Sequence, residues 1–277
     1  MSIIQAIILG IVQGLSEFIP ISSTAHLTLI GQWMGLINPE HPEQWTAFLA
    51  VIQLGTLAAV LIFFIKDIRE ILISFFKENI SKNRNGIKEQ SNSAKLGWYI
   101  IFGTLPIIIF GFLLKKIIEG NITKSPLVIA CSLIGLAILL AIAERVANLK
   151  KEITGITFKD ALLIGIAQCL ALIPGASRSG TTITAGLFLG LKRETAAKFS
   201  FLLSIPAVML SGIYEFYKSL AYLSMDNFLV LLIATLASAI SGYAAIKFLL
   251  HFLQTRTTML FVYYRLALGI IIIFLFL

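Results

Sequence analysis

The sequence predicts an all-α polytopic membrane protein: six transmembrane helices plus two re-entrant helical hairpins in an inverted-topology repeat. Three observations lead there. The 277 residues are 58% apolar and 13% charged, with a mean hydropathy of +0.92, whereas a soluble domain carries roughly 25% charged residues. Apolar stretches long enough to span a bilayer recur along the whole chain, so no single one reads as a removable signal peptide. Two further apolar regions are each broken by a proline and a cluster of hydroxyls, and they resemble one another.

The first broken region is residues 3–36, leaving two halves that are each too short to cross. Broken segments of this kind are the sign of discontinuous helices whose loose backbone lines a cavity. Three uninterrupted spans follow, roughly 46–65, 97–114 and 126–144, and then the second broken region, 159–191. The last three spans are roughly 197–217, 228–250 and 258–277. "GIVQGLSEFIPISST" from Gly10 and "GIAQCLALIPGASRS" from Gly165 align with one gap, Gln13 on Gln168 and Pro20 on Pro174. Three spans per copy is an odd number, so the second copy enters the membrane from the opposite side and the two hairpins meet near the midplane. The chain is therefore read as one integral membrane domain, 1–277, with a first repeat at 1–145 and a second at 159–277.

Basic residues set the orientation. Residues 1–45 contain no Lys or Arg, and sixteen of the 22 fall on one face, in the 66–95 and 145–160 loops, Lys192–Lys198, and Lys247 to Arg256. The opposite face holds Lys115, Lys116, Lys124 and Lys218, and Arg178 and Arg265 lie inside. The positive face is cytoplasmic, which puts both termini outside. The net charge of +8 is thus a loop signal, and no nucleic-acid partner is expected. The 78–95 stretch, polar and aperiodic, reads as a cytoplasmic loop without chemistry. Cys131 and Cys169 sit in apolar runs and read as buried small hydrophobes, and no zinc spacing exists. Glu144 and Arg145, at a span end, are expected in solvent.

The first hairpin carries "EFIPISSTAH", residues 17 to 26. Gln13 and Glu17 are four apart and share a helical face. Pro20 turns the chain, Ser22 or Ser23 caps the next helix, and His26 lies three residues after Ser23 on the same side. Ionisable groups at membrane depth point to function, and a His beside a hydroxyl and a carboxylate has the parts of an activated nucleophile. The second hairpin carries "PGASRSGTT", Pro174 to Thr182, where glycines flank Ser177, Arg178 and Ser179 at an expected helix start. Backbone N–H groups, hydroxyls and a guanidinium together suit a tetrahedral oxyanion. The alignment sets Ser23 opposite Ser177, Thr24 opposite Arg178, Glu17 opposite Ala171, and His26 opposite Gly180. Acid–base groups on one copy and an anion clamp on the other suit phosphoryl chemistry.

At these motifs the chain resembles the bacterial undecaprenyl-diphosphatase family, also called bacitracin-resistance proteins. The resemblance covers nearly the whole length through "QGLSEFIPISSTAHL" and "PGASRSGTT". It implies hydrolysis of a polyprenyl diphosphate to the monophosphate used in cell-wall synthesis, in the bacterial cytoplasmic membrane. It also implies a divalent cation, Mg2+ or Ca2+, with Glu17 and Gln13 at the metal position; many members have Glu where this chain has Gln13.

The expected site follows from both readings. Arg178, Ser177 and the N–H groups near Gly180 hold the diphosphate, with Ser22, Thr24, Gln13, Ser179 and Thr181 as further substrate contacts. Ser23 or a water attacks, His26 relays the proton, and Glu17 orients His26 or helps bind the metal. The cavity opens to the extracytoplasmic side. Partners are the lipid substrate, membrane lipids and at most a second copy of the chain. A polyprenyl-phosphate or anion transporter, or a non-catalytic receptor, would share this outline but release no phosphate.

Overall fold

The computed structural model describes residues 1–80, 86–120, 125–219 and 225–276. Among them there is no strand; Lys151 and Leu191 form one isolated parallel bridge. The first half holds α1 (Ile3–Phe18), α2 (Ser23–Trp33), α3 (Pro42–Phe63), α4 (Ile65–Ile80), α5 (Asn92–Leu113), the short α6 (Lys115–Glu119) and α7 (Pro126–Val146). The second holds α8 (Phe158–Gln168), α9 (Arg178–Phe188), α10 (Arg193–Ser219), α11 (Met225–Thr255) and α12 (Met259–Phe276).

Six of these helices are long and apolar enough to span: 42–63, 92–113, 126–146, 193–218, 228–255 and 259–276. They match the six expected spans to within a few residues, and the chain is an integral membrane protein. Their outer faces expose Ile109, Ile142, Ile240 and Phe274, side chains that lipid accepts and water does not. The broken regions are helix pairs. At 16 residues α1 is about 24 Å long, and at 11 residues each α2, α8 and α9 are about 17 Å, all short of a hydrocarbon core of about 30 Å.

Local chemistry fixes these elements. Ser2 and Gln5 close a capping box on α1, and Thr157 and Asp160 close one on α8. Pro42 and Pro126 open α3 and α7, where a missing N–H costs nothing. Each short pair packs its first helix on a span from the other half of the chain. Helix α1 lies along α11, and a methyl at Gly14 would fall 2.0 Å from Ser241 Oγ. Helix α8 lies along α5, and a methyl at Gly165 would fall 2.0 Å from the Gly103 carbonyl. Only glycine permits backbones this close. The main core joins Phe18, Phe64, Phe199 and Phe201, with the Phe18 and Phe201 rings edge-on at 5.1 Å.

Three expectations are corrected. Cys131 is exposed on α7 and Cys169 half-buried, where both read as buried. The 66–95 segment is largely helix rather than loop: α4 turns Ile71 inward, while its charged residues face out. Ser91 caps α5 and donates to Glu78 from its N–H (2.8 Å) and hydroxyl (2.6 Å), holding that carboxyl below the usual range. Lys82, Arg84 and Lys124 lie outside the described residues. Glu144 is buried, not solvated. It accepts from the Thr258 N–H (3.2 Å) and hydroxyl (2.7 Å) and pairs with Arg193, tying α7 to the starts of α12 and α10.

Candidate active site

The tips of the two helix pairs adopt one conformation. Ser22 caps α2 by accepting from the Ala25 N–H (3.3 Å), and Ser177 caps α9 by accepting from the Gly180 N–H (3.1 Å). Both stand at left-handed φ, 75° and 69°, which costs a residue with a side chain about 1–3 kcal/mol. The caps therefore pair Ser22 with Ser177, at the spacing that also pairs Gln13 with Gln168. The sequence alignment was one residue out at the tip: Pro20 and Pro174 are not equivalent, and Ser23, not Thr24, stands opposite Arg178.

Glu17, buried in the last turn of α1, is the hub between the tips. Its Oε2 accepts from Ser23 Oγ (2.6 Å) and Gln13 Nε2 (3.0 Å). Its Oε1 accepts from Arg178 Nη2 (2.7 Å) and from Gln53 Nε2 on α3 (2.9 Å). Arg178 and Glu17 are 161 positions apart, so this ion pair joins the two motifs directly. Arg178 Nη1 is buried with no partner among the described residues. A buried guanidinium N–H without an acceptor is costly, and an arriving oxyanion would satisfy it.

His26 is not joined to Ser23. Its Nδ1–H donates to the Ser22 carbonyl (2.7 Å), which leaves Nε2 to accept from the Tyr264 hydroxyl (2.6 Å), and the two rings stack 5.6 Å apart. Neither Ser23 nor Glu17 is bonded to the His26 ring, and the group bonded to the Ser23 hydroxyl is Glu17 itself. Three residues along a helix put His26 on the side of Ser23, but the Ser22 carbonyl and α12 draw its ring the other way.

On the α9 side, Ser177 and Arg178 face the cavity, while three expected substrate contacts are occupied. Ser179 Oγ approaches the carbonyls of Glu17 (3.3 Å) and Ile19 (3.4 Å), stitching α9 to the end of α1. Thr181 is buried and donates to the Arg178 carbonyl at 2.9 Å. Gly180 gives its N–H to the Ser177 cap. Ser22 is also buried behind its cap, and neither it nor His26 lines the cavity. Gln13, Glu17, Ser23 and Thr24 do.

The cavity holds about 500 Å³. From Glu17 and Arg178 it runs along the first turns of α3, from Gln53 to Trp45, and past the last turns of α5 and α10 to Lys115, Tyr214 and Glu215. Eight residues of α3 correspond to about 12 Å, so the polar groups lie at the bottom of a shaft. Its walls are Leu49, Ile107, Ile108, Phe112, Val208 and Leu210. At the mouth, Lys115 Nζ lies 2.5 Å from the Tyr214 hydroxyl. Such a shape suits a ligand with an anionic head and an apolar tail.

The donor set does not fit a resident divalent cation. Glu17 is the one carboxylate at the bottom of the shaft, and four donors, one a guanidinium, already surround it. Among the described residues no three His, Cys, Asp or Glu side chains gather as a metal site. Gln53, Tyr264 and Arg265 were missed as site residues. Gln53 lies within one spanning helix and Tyr264 and Arg265 stand side by side in another, and an intramembrane polar residue is itself the signal that could have flagged them.

Comparison with known proteins gives the family. Residues 6–271 match the family described as bacitracin resistance protein BacA. An undecaprenyl-diphosphatase of Syntrophobacter fumaroxidans is 58% identical over 97% of this chain and 95% of that protein. Undecaprenyl-diphosphatases of Chlorobium limicola (50% identity, 97% and 95%) and Myxococcus xanthus (49%, 99% and 89%) match over similar lengths.

Proposed function

The chain belongs to the bacitracin resistance protein BacA family, and from that premise we propose that it hydrolyses undecaprenyl diphosphate to undecaprenyl phosphate and inorganic phosphate. The observation that carries the reading at the level of residues is the Ser23–Glu17–Arg178 array with its unpartnered Nη1. Arg178 divides its fork, Nη2 on Glu17 and Nη1 on the terminal phosphate, a sharing that the fixed, planar spread of guanidinium donors allows. The phosphoryl charge offsets that of the guanidinium beside Glu17. Glu17 Oε2 then takes the Ser23 proton as Oγ forms a bond to the terminal phosphorus. The bridging P–O bond breaks, and the prenyl monophosphate leaves with the bridging oxygen. Glu17 passes that proton to the departing monophosphate, then takes a proton from the attacking water, which breaks the Ser23–phosphate bond, and returns it to Ser23 Oγ. Thr24 and Ser177, which line the cavity, contribute hydroxyl donors to the phosphate oxygens.

A cation required for turnover belongs, on this reading, to the diphosphate rather than to the chain, and none of these steps runs through it. The two helix pairs are read as re-entrant hairpins of an inverted repeat, 1–145 and 159–277. Their matched left-handed caps and the exchange of α1 onto α11 and α8 onto α5 support this. Lys and Arg crowd the face opposite the cavity mouth, which supports a cytoplasmic membrane location, termini outside and an outward-opening site.

The test is phosphate release from C55 diphosphate by purified protein, with and without chelator. Release that stops in chelator while the apo protein binds no Mg2+ or Ca2+ by calorimetry fits the proposal. No release under any condition would leave the carrier or receptor alternative.

A further inference from the structure

Among the described residues, Arg265 is the largest side chain that is completely buried. It stands on α12, and its guanidinium reaches only main-chain carbonyls. Nε donates to Leu133 (3.3 Å) and Nη1 to Pro20 (3.2 Å). Nη2 donates to Ala176 (3.0 Å) and Gly175 (3.2 Å), with Ser132 at 3.5 Å. Pro20 belongs to the tip before α2, Gly175 and Ala176 to the tip before α9, and Ser132 and Leu133 to α7. One planar group thus holds both tips and a spanning helix together.

The charge is the second observation. Among the described residues no carboxylate pairs with Arg265. Carbonyl dipoles solvate a buried cation but leave its net charge in place. That charge sits directly behind the N-terminus of α9, since a methyl at Gly180 would fall 2.7 Å from Arg265 Nη1. The helix end is itself partly positive. Two positive poles packed together in a low-dielectric interior repel, unless an anion arrives in front of them.

We propose that Arg265 is a positioning residue with two separable roles, and the proposal rests on the diphosphatase reading above. Its fork holds the Ser23–Glu17 tip in register with the Ser177–Arg178 tip. Its uncompensated charge prepares the start of α9 for the phosphate head of the substrate. Arg178 contacts the anion, whereas Arg265 acts from behind through the two tips and the field.

Two substitutions separate the roles. Arg265→Lys keeps the charge and loses the fork. Its expected signature is a kcat at least tenfold lower with KM within about twofold of wild type. Arg265→Gln loses the charge as well, and KM for C55 diphosphate should rise at least tenfold in addition. Binding of inorganic phosphate, measured by equilibrium dialysis with radiolabelled phosphate, should weaken in parallel in the Gln variant but not in the Lys variant. A merely structural residue would lower the melting temperature and the active fraction in both variants while leaving KM and phosphate affinity unchanged, and that result overturns the proposal. Wild-type kcat in the Lys variant overturns the fork role even if the Gln protein does not fold. If wild-type protein releases no phosphate, the diphosphatase reading fails first, and phosphate binding still decides the charge role by itself.

Discussion

At the tip of the first helix pair a serine at left-handed φ caps α2, and the next residue is Ser23; at the tip of the second a serine at left-handed φ caps α9, and the next residue is Arg178. The cap is shared and the residue after it is not. In both pairs the cap directs the following side chain toward Glu17, one as a hydroxyl and the other as a guanidinium. The first pair also keeps Glu17 itself, where the second has Leu172. A common backbone device thus presents a hydroxyl from one side and a guanidinium from the other, with a single carboxylate between them; the proposed function makes these the nucleophile and the anion clamp. Removing parts of one side and then of the other tests that division.

The largest effects are expected on the first pair. Glu17→Gln and Ser23→Ala should each lower turnover by about 10²–10⁴-fold, the range for a lost proton-transfer partner. The double variant should be little worse than either alone, because groups acting as one unit are strongly non-additive. Multiplying losses would mean that Ser23 and Glu17 work separately. Radiolabelled phosphate retained on Ser23 after an acid quench would identify covalent attack. Near-normal turnover in Ser23→Ala would leave water, activated by Glu17, as the nucleophile.

Next comes the clamp. Arg178→Lys keeps the charge but replaces a fork that serves Glu17 and the phosphate at once by a single point donor. The expected cost is about 2–4 kcal/mol of transition-state stabilisation, read from kcat/KM. Full activity in the Lys variant would show that the second tip has no part in holding the phosphate.

A smaller effect is expected behind the first tip. Tyr264→Phe removes one neutral hydrogen bond to His26, about 1 kcal/mol or about fivefold, because His26 serves to hold the Ser22 carbonyl and the start of α2. Loss of turnover beyond a hundredfold in this variant would place a proton on the His26–Tyr264 pair during the reaction and remove Glu17 from the role of base.

The sequence made the spans legible because lipid imposes a length and a composition that twenty residues cannot hide. It made both breaks legible because Pro20, Pro174 and the hydroxyls are out of place in an apolar run. The pairing inside the site was not legible for a physical reason. Ser22 and Ser23 are adjacent, either can cap a helix, and a one-residue choice decides which of them faces Glu17. Gln53, Tyr264 and Arg265 come from spans distant in sequence, where no local spacing links them to the motifs. Helix α4 was hidden by its charges: Ile65, Ile68, Ile71, Leu72 and Phe75 recur at helical spacing, but six charged residues keep the segment from reading as a span. Glu144 sits at a span end, where solvent is the ordinary expectation; its partners Arg193 and Thr258 are 49 and 114 positions away.

The smallest expected effects isolate the shared cap from the divergent chemistry. At left-handed φ a glycine relieves strain that alanine keeps, and at a helix N-cap glycine costs only a few tenths of a kcal/mol where alanine costs about 1. Ser22→Gly and Ser177→Gly should therefore leave the melting temperature nearly unchanged, while Ser22→Ala and Ser177→Ala lower it by matching amounts. Activity should split the glycine pair. Ser22 is buried behind its cap, so Ser22→Gly should turn over within about twofold of wild type. Ser177 also lines the cavity, and losing one donor to a charged phosphate should raise KM by a factor corresponding to about 1.5–3 kcal/mol. Purified proteins assayed for melting and for phosphate release give both numbers from one preparation. Equal losses of activity in the two glycine variants would mean that both serines meet the substrate, or that neither does, and the functional division between the tips would then begin at Ser23 and Arg178 rather than at the caps.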